Sequence, residues 1–313
     1  MVLSSYLDDH LDSAPNGVAA AVQHVANACA QTSSLLVRAS LDSLGESSSE
    51  ISAKLFEKNL AACSGISASA VKRPGHAISF TEASVRIGNL VVVVTPLDPE
   101  ARSEGAGPSA SAGSVFAVYE AAPSPEEAVL GIVPCGQEGL LVSGYCVYSS
   151  STQLVLAVRG ELPTAFTLDL STQTFIRSEE GLRVPEKSKV LIVDYGCSSG
   201  WPRSLQEFVG DAEAGLFHGT PFGSRFSGSI VADVHRILTT GGCLCHPATV
   251  GCGQGLPYLS VALPLAFIIE QAGGRALYRE PNIVDQSTLL SAASPLYVGS
   301  RDTIDTLEGY LAR

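Results

Sequence analysis

The sequence predicts a layered α/β fold in two subdomains, and three observations carry the prediction. A helix-period pattern opens the chain, alternating and β-branched runs occupy residues 90–170, and strands alternate with helices beyond residue 189. The split is placed at residues 1–180, N-terminal helices plus a sheet, and 181–313, a C-terminal α/β unit. At 313 residues, 45% hydrophobic and 16% charged, the chain can bury one large core or two joined ones.

Val18, Val22, Val25, Cys29, Thr32 and Leu36 recur at three- and four-residue spacing, which predicts one long amphipathic helix over 19–41. A shorter helix is expected over 51–63. The period then changes to two: residues 90–94, 114–119, 140–148, 153–158 and 165–170 read as strands of a mixed or antiparallel sheet, separated by Gly, Ser and Pro. Residues 101–113 are almost all Gly, Ala, Ser and Pro and read as a mobile loop. After a linker over 178–188, an apolar strand at 189–193 runs into a Gly/Ser-rich turn. Ile230, Val231, Val234, Ile237 and Leu238 share one face of a helix over 229–238 that Gly241-Gly242 stops. Pro264 falls in the first turn of an apolar helix over 262–272, which Gly273-Gly274 ends. A strand at 296–298 and a helix from Asp302 complete the pattern, with no internal repeat.

The 19 basic and 31 acidic residues give a net charge of −12. That balance, with no Lys/Arg run, argues against nucleic acid and membrane surfaces as partners. No apolar run reaches the roughly 20 residues of a bilayer span, and residues 1–11 lack a signal-peptide pattern. Eight scattered cysteines read as reduced, mostly buried thiols, so a cytoplasmic or reducing-organelle location is expected.

Several segments fall in the order of one family. They are Arg225-Phe-Ser-Gly-Ser-Ile-Val-Ala-Asp-Val-His-Arg236, Gly241-Gly242, Pro247-Ala248, the Pro264 helix ending Glu270-Gln-Ala-Gly-Gly274, and Leu296-Tyr-Val-Gly-Ser-Arg-Asp302. Residues 113–119 and 140–148 add weaker likeness. Together they resemble class I fructose-1,6-bisphosphatase and the related sedoheptulose-1,7-bisphosphatase over most of residues 80–313. The resemblance implies an α-β-α-β-α layered sandwich, Mg²⁺-dependent hydrolysis of a sugar bisphosphate, and a homo-oligomer, dimer or tetramer.

The resemblance also implies where ligands should stand. Hard divalent cations need clustered carboxylates to neutralise phosphoryl oxygens and activate water. Of a Glu-Glu pair the chain keeps Glu82 and replaces the second acid with Ala83. Of Asp-Pro-Leu-Asp-Gly-Ser-Ser it keeps Asp98, puts Thr95 at the first aspartate, and puts Pro99-Glu100 at the Gly-Ser pair that cradles phosphate. The glutamate expected at the start of the apolar helix falls near Ser260 or Val261, and an early-helix acid near Phe56 or Glu57. Glu82 and Asp98 are the candidate Mg²⁺ ligands, with a solvated carboxylate pair as the plain alternative. For the substrate, Arg225 matches an arginine that reaches a phosphate across a subunit boundary, or else is a structural pairing residue. An asparagine aligns with Asp194, tyrosines with Cys197, Phe226 and His246, and a lysine falls between Gln254 and Leu256, where no base occurs.

Cys243-Leu-Cys245-His246, with Cys252 beyond, suggests zinc superficially, although strand alternation turns His246 away from the cysteines. His24 and His235 read as structural histidines beside apolar helix stripes. Ser198-Ser199-Gly200 follows a strand without a paired base, so no nucleophile elbow is expected. No residue is assigned a catalytic role.

The leading expectation is a bisphosphatase-like protein with reduced or no phosphatase activity, kept for binding a sugar phosphate or other small anion, for assembly or for regulation. The alternative is an active Mg²⁺-dependent sugar-bisphosphate 1-phosphatase in which Glu57, Glu82, Asp98 and Glu100 rebuild the site. A structural subunit of a larger protein assembly is the third reading.

Overall fold

A computed structural model describes the chain except residues 13, 40–46, 75, 77, 79–88, 99–110, 122–136, 218, 250–254 and 281–289. Three helices lead: α1 (Leu3–His10), α2 (Val18–Ala39) and α3 (Ser48–Ala61). Ser47 caps α3, its side chain accepting the Glu50 amide at 3.2 Å, which satisfies one of the donors that a helix start leaves open.

The first sheet is built from β1 (Ile66–Val71), β2 (Leu90–Thr95), β3 (Ala112–Glu120), β4 (Leu140–Tyr148), β5 (Thr152–Val158), β6 (Thr164–Asp169) and β7 (Thr174–Glu179), in that spatial order. β1 and β2 run parallel and the later pairings are antiparallel, so the sheet is mixed. It is covered on both faces. Leu90, Val92 and Val94 of β2 enter a core with α1, α2 and α3, while Val91 and Val93 enter another on the opposite side. This is why β2 reads as a continuous apolar run with no polar alternation.

The second sheet has the order β12 (Arg275–Tyr278), β14 (Leu296–Gly299), β10 (Cys243–His246), β8 (Val190–Ile192), β9 (Gly223–Ser224). Two helices fill the space between the sheets: α5 (Ile230–Thr240) and α6 (Leu263–Gln271). Leu263 to Ile269 are all buried, as expected of a helix apolar on every side. Before α6, residues Tyr258–Ala262 form a π-turn. On the outer face of the second sheet, α4 (Arg203–Glu213) and α7 (Arg301–Leu311) enclose a third core. The short pair β11 (Leu256–Pro257) and β13 (Ala293–Ser294) stands apart. The layers therefore run α-β-α-β-α, as expected.

Two sequence expectations need correction. Ala112 and Gly113 belong to β3 rather than to the loop, whose residues 101–110 lie outside the described residues. Gly113 pairs with Val147, and a Cβ on it would stand 2.2 Å from Val231 Cβ, so only glycine admits α5 this close to the strand. The stretch read as linker begins inside β7, which ends at Glu179. Among the described residues no helix is long and apolar enough to cross a membrane.

Candidate functional site

Asp98 follows β2 and is fully buried. Its amide donates to the Gly113 carbonyl at 2.8 Å, and the Gly113 amide donates back to Asp98 Oδ1 at 3.2 Å. The Ser229 hydroxyl donates to Oδ2, and the Val231 amide reaches the same oxygen at 3.4 Å. Ser229 is the N-cap of α5, its Oγ accepting the Ala232 amide at 3.3 Å. Asp98 is thus built into the start of α5, where a carboxylate also complements the helix dipole. Both of its oxygens are engaged by protein donors.

Beside it, Thr95 Oγ1 at the end of β2 donates to Ser260 Oγ of the π-turn at 3.1 Å, and both residues are buried. The positions at which the resemblance expects two carboxylates therefore meet through a neutral hydrogen bond. Glu57 is turned elsewhere, holding Arg73 through bonds of 2.7 Å to each carboxylate oxygen. Phe56, at the other register of the early acid, is buried in the apolar core. Glu82 and Glu100 lie outside the described residues. Among the described residues no three His, Cys, Asp or Glu side chains gather in a way that would hold a metal ion. The described donors at this end, a neutral Thr95–Ser260 pair and a fully engaged Asp98, do not by themselves fit a hard divalent cation, which requires several free oxygen ligands.

The substrate-end positions do converge. Asp194, Cys197, Phe226 and His246, joined by Trp201 and Asp233, line one open cavity. It lies beyond the carboxyl ends of the parallel strands β8 and β10 and against the first turn of α5, a common place for a ligand crevice in α/β sheets. Asp194 caps the short 3₁₀ turn Tyr195–Gly200, its Oδ1 accepting the Gly196 amide at 2.9 Å. Asp233 is buried and accepts the Ser227 amide at 3.2 and 3.3 Å. Two carboxylates and no Lys or Arg face this cavity among the described residues. Arg225 stands outside it, exposed, with its guanidinium donating to the neighbouring Ser224 carbonyl at 2.7 Å.

His235 is structural as expected: its Nδ1 lies 3.0 Å from the Tyr145 hydroxyl, and burial, then Arg236, holds its pKa below the ordinary value. Cys29, Cys63, Cys146, Cys243 and Cys245 are free and buried, in line with the thiol reading. Cys197 departs from that reading and is disulfide-bonded. Sequence reasoning missed Trp201 and Asp233 as cavity residues. The Leu205, Phe208, Val209 and Ala212 stripe of α4, at helical spacing, was the signal that a helix follows Trp201.

The family model for the fructose-1-6-bisphosphatase C-terminal domain matches residues 184–312. The chain is 31% identical over 319 residues to the chloroplastic fructose-1,6-bisphosphatase of Pisum sativum, covering 92% of this chain and 77% of that protein. It is 34% identical over 228 residues to the class 1 fructose-1,6-bisphosphatase of Cytophaga hutchinsonii, covering 71% and 64%. Against the chloroplastic enzyme of Brassica napus it is 35% identical over 240 residues, 72% of this chain, and spans 57% of that protein's length. In three dimensions it is similar to the holo form of Leishmania major fructose-1,6-bisphosphatase, with TM-score 0.83, 25% identity, and coverage of 100% and 99% of the two chains.

Proposed function

Because this chain belongs to the class I fructose-1,6-bisphosphatase family, we propose that it is a sugar-phosphate phosphatase, a phosphoric monoester hydrolase of carbohydrate metabolism acting on fructose 1,6-bisphosphate or sedoheptulose 1,7-bisphosphate. The observation that carries the reading is the convergence of Asp194, Cys197, Phe226 and His246. Four positions that the resemblance assigns to substrate come from three separate stretches of the sequence and meet around one cavity. Trp201 and Phe226 supply apolar walls for a sugar ring. The first turn of α5 lies against the cavity, and its helix dipole supplies positive potential close by. A homo-oligomer in which Arg225 of a second copy completes an anion site belongs to the same proposal, since that residue is exposed and outside its own cavity.

A second reading, binding with little or no turnover, is favoured by one specific observation. Thr95 and Ser260 share a buried neutral hydrogen bond where the proposed chemistry asks for carboxylates, and the carboxylate of Asp98 is spent on α5.

One pair of measurements separates these readings. Phosphate release from both bisphosphates is followed with Mg²⁺ or Mn²⁺, and binding of the same compounds is followed by calorimetry. Metal-dependent release supports the phosphatase and sinks the second reading. Binding without release supports the second reading, and absence of both overturns each of them. Asp98→Ala is unsuitable as the catalytic control, because loss of that side chain also removes the acceptor for the Ser229 hydroxyl and the Val231 amide at the start of α5.

A further inference from the structure

The Cys243-Leu-Cys245 segment is left unused by the reading above, and its geometry is specific. The two residues lie on one face of β10, and their Sγ atoms are 3.4 Å apart, hydrogen-bonded but not joined by a disulfide. His246 is the next residue along the strand and points to the other face. No third His, Cys, Asp or Glu joins the two thiols among the described residues, so a tetrahedral zinc site is not formed. What remains is a two-sulfur chelate. Across the sheet Cys243 pairs with Gly299 of β14 and Leu191 of β8, and Cys245 pairs with Tyr297 of β14. Cys245 also lines the open cavity, which gives a small solute a path to this end of the strand.

We propose that Cys243 and Cys245 form a dithiol site that chelates a soft, thiophilic ion between their two sulfurs. The argument has three parts. Thiolates select soft ions over the hard cations that carboxylates hold. Two sulfurs already in contact on one rigid strand form a chelate ring without backbone movement, so little ordering entropy is lost. The hydrogen-bonded neighbours β8 and β14 on either side of β10 hold that spacing fixed.

The chain supplies its own comparison. Cys29 of α2 and Cys146 of β4 also hydrogen-bond to each other, but inside the core beneath the N-terminal helices. Both pairs are buried, but neither Cys29 nor Cys146 lines the cavity that Cys245 borders, so no reaction is expected there.

Phenylarsine oxide is the probe, because it closes a ring on paired thiols and is held weakly by single ones. Two arsenic–sulfur bonds form, the arsenic–oxygen bond is lost, both thiol protons leave with the oxygen as water, and arsenic stays trivalent. The full chain is titrated and bound arsenic per protomer is counted. Alkylation followed by peptide mass mapping then shows which cysteines are protected. The expected result is one arsenic per protomer with Cys243 and Cys245 protected together. Cys243→Ser and Cys245→Ser are each expected to weaken binding at least about tenfold, and Cys146→Ser to leave it unchanged. No stoichiometric arsenic, protection mapped to other cysteines, or undiminished binding in both serine variants of the pair overturns the proposal. If a serine variant fails to fold, the protection map of the unmodified chain decides alone.

Discussion

Thr95 and Ser260 are joined by a 3.1 Å hydrogen bond in the seam between β2 and the π-turn, with both residues buried. Two short hydroxyl side chains satisfy each other there without charge, and the first sheet is thereby fastened to the turn that starts α6. The Tyr119 hydroxyl reinforces the seam by donating to the Leu259 carbonyl at 2.8 Å, and the Ser143 hydroxyl by donating to the Pro264 carbonyl at 2.9 Å.

Putting carboxylates back at those two positions is an informative change. Thr95→Asp combined with Ser260→Glu places two like charges in a buried space. In a chelator the double variant is expected to lose about 3 kcal/mol or more of stability, because buried charges without partners are costly. Millimolar Mg²⁺ or Mn²⁺ is expected to return part of that loss, since an ion that binds only the folded state stabilises it by mass action. Thermal unfolding with and without the ion is the check, and identical curves would show that the backbone no longer permits a cation there.

Asp98 is expected to matter for stability whatever its chemistry. Asp98→Asn keeps an acceptor for the Gly113 amide but puts an NH₂ group where the Ser229 hydroxyl and the Val231 amide now donate. The loss is expected to be about 2–3 kcal/mol, the scale of a buried charged hydrogen-bond set losing its acceptor. Urea denaturation reads it directly, and a change below about 0.5 kcal/mol would refute the capping role.

The acidic cavity gives a binding prediction of opposite sign. Asp194→Asn retains the side-chain oxygen that caps the 3₁₀ turn and removes one negative charge from the lining. Affinity for fructose 1,6-bisphosphate is expected to rise severalfold, about 1 kcal/mol for a partly solvated charge. Calorimetry on the two proteins side by side tests it, and unchanged or weaker binding would place the anion elsewhere.

His235 supplies a pH dependence. Burial and Arg236 hold its folded pKa below the ordinary 6.5, so the unfolded chain takes up the proton more readily than the folded one. Its contribution is therefore complete above about pH 6.5 and falls as the pH drops through that value toward the folded pKa. His235→Phe is expected to flatten this part of the stability profile, measured by chemical denaturation from pH 7.5 to 5. An equally steep decline in the variant would assign the effect to another group.

Much of the fold was legible because apolar spacing is a local property. Helices α2, α3, α5 and α6 and strands β2 to β6 were all indicated by period, with boundaries off by a few residues. The elements that escaped had weaker or shorter patterns. β1 reads Ile-Ser-Ala-Ser-Ala-Val, small residues with little strand preference, although the strand is buried along its length. β7 is a largely exposed edge strand, polar enough to pass for linker. α1 has only Leu3, Tyr6 and Leu7 as its apolar stripe. The cavity was reachable only through the resemblance, because residues 194, 197, 226 and 246 come together through β8, β10 and α5 and no local pattern joins them. The pairing of Thr95 with Ser260, 165 residues apart, and the engagement of Asp98 by α5 are tertiary facts that no spacing encodes.

The helices shared between the two sheets have a consequence for how the chain comes apart. Val91 and Val93 of the first sheet and Ile192, Leu244 and Val298 of the second belong to one continuous apolar cluster around α5 and α6. A fragment cut near residue 180 would present a whole oily sheet face to water, and its counterpart would present two naked helices. Neither half has a natural resting state without the other. Co-expressed halves should rescue each other's yield, while each alone should accumulate as aggregate.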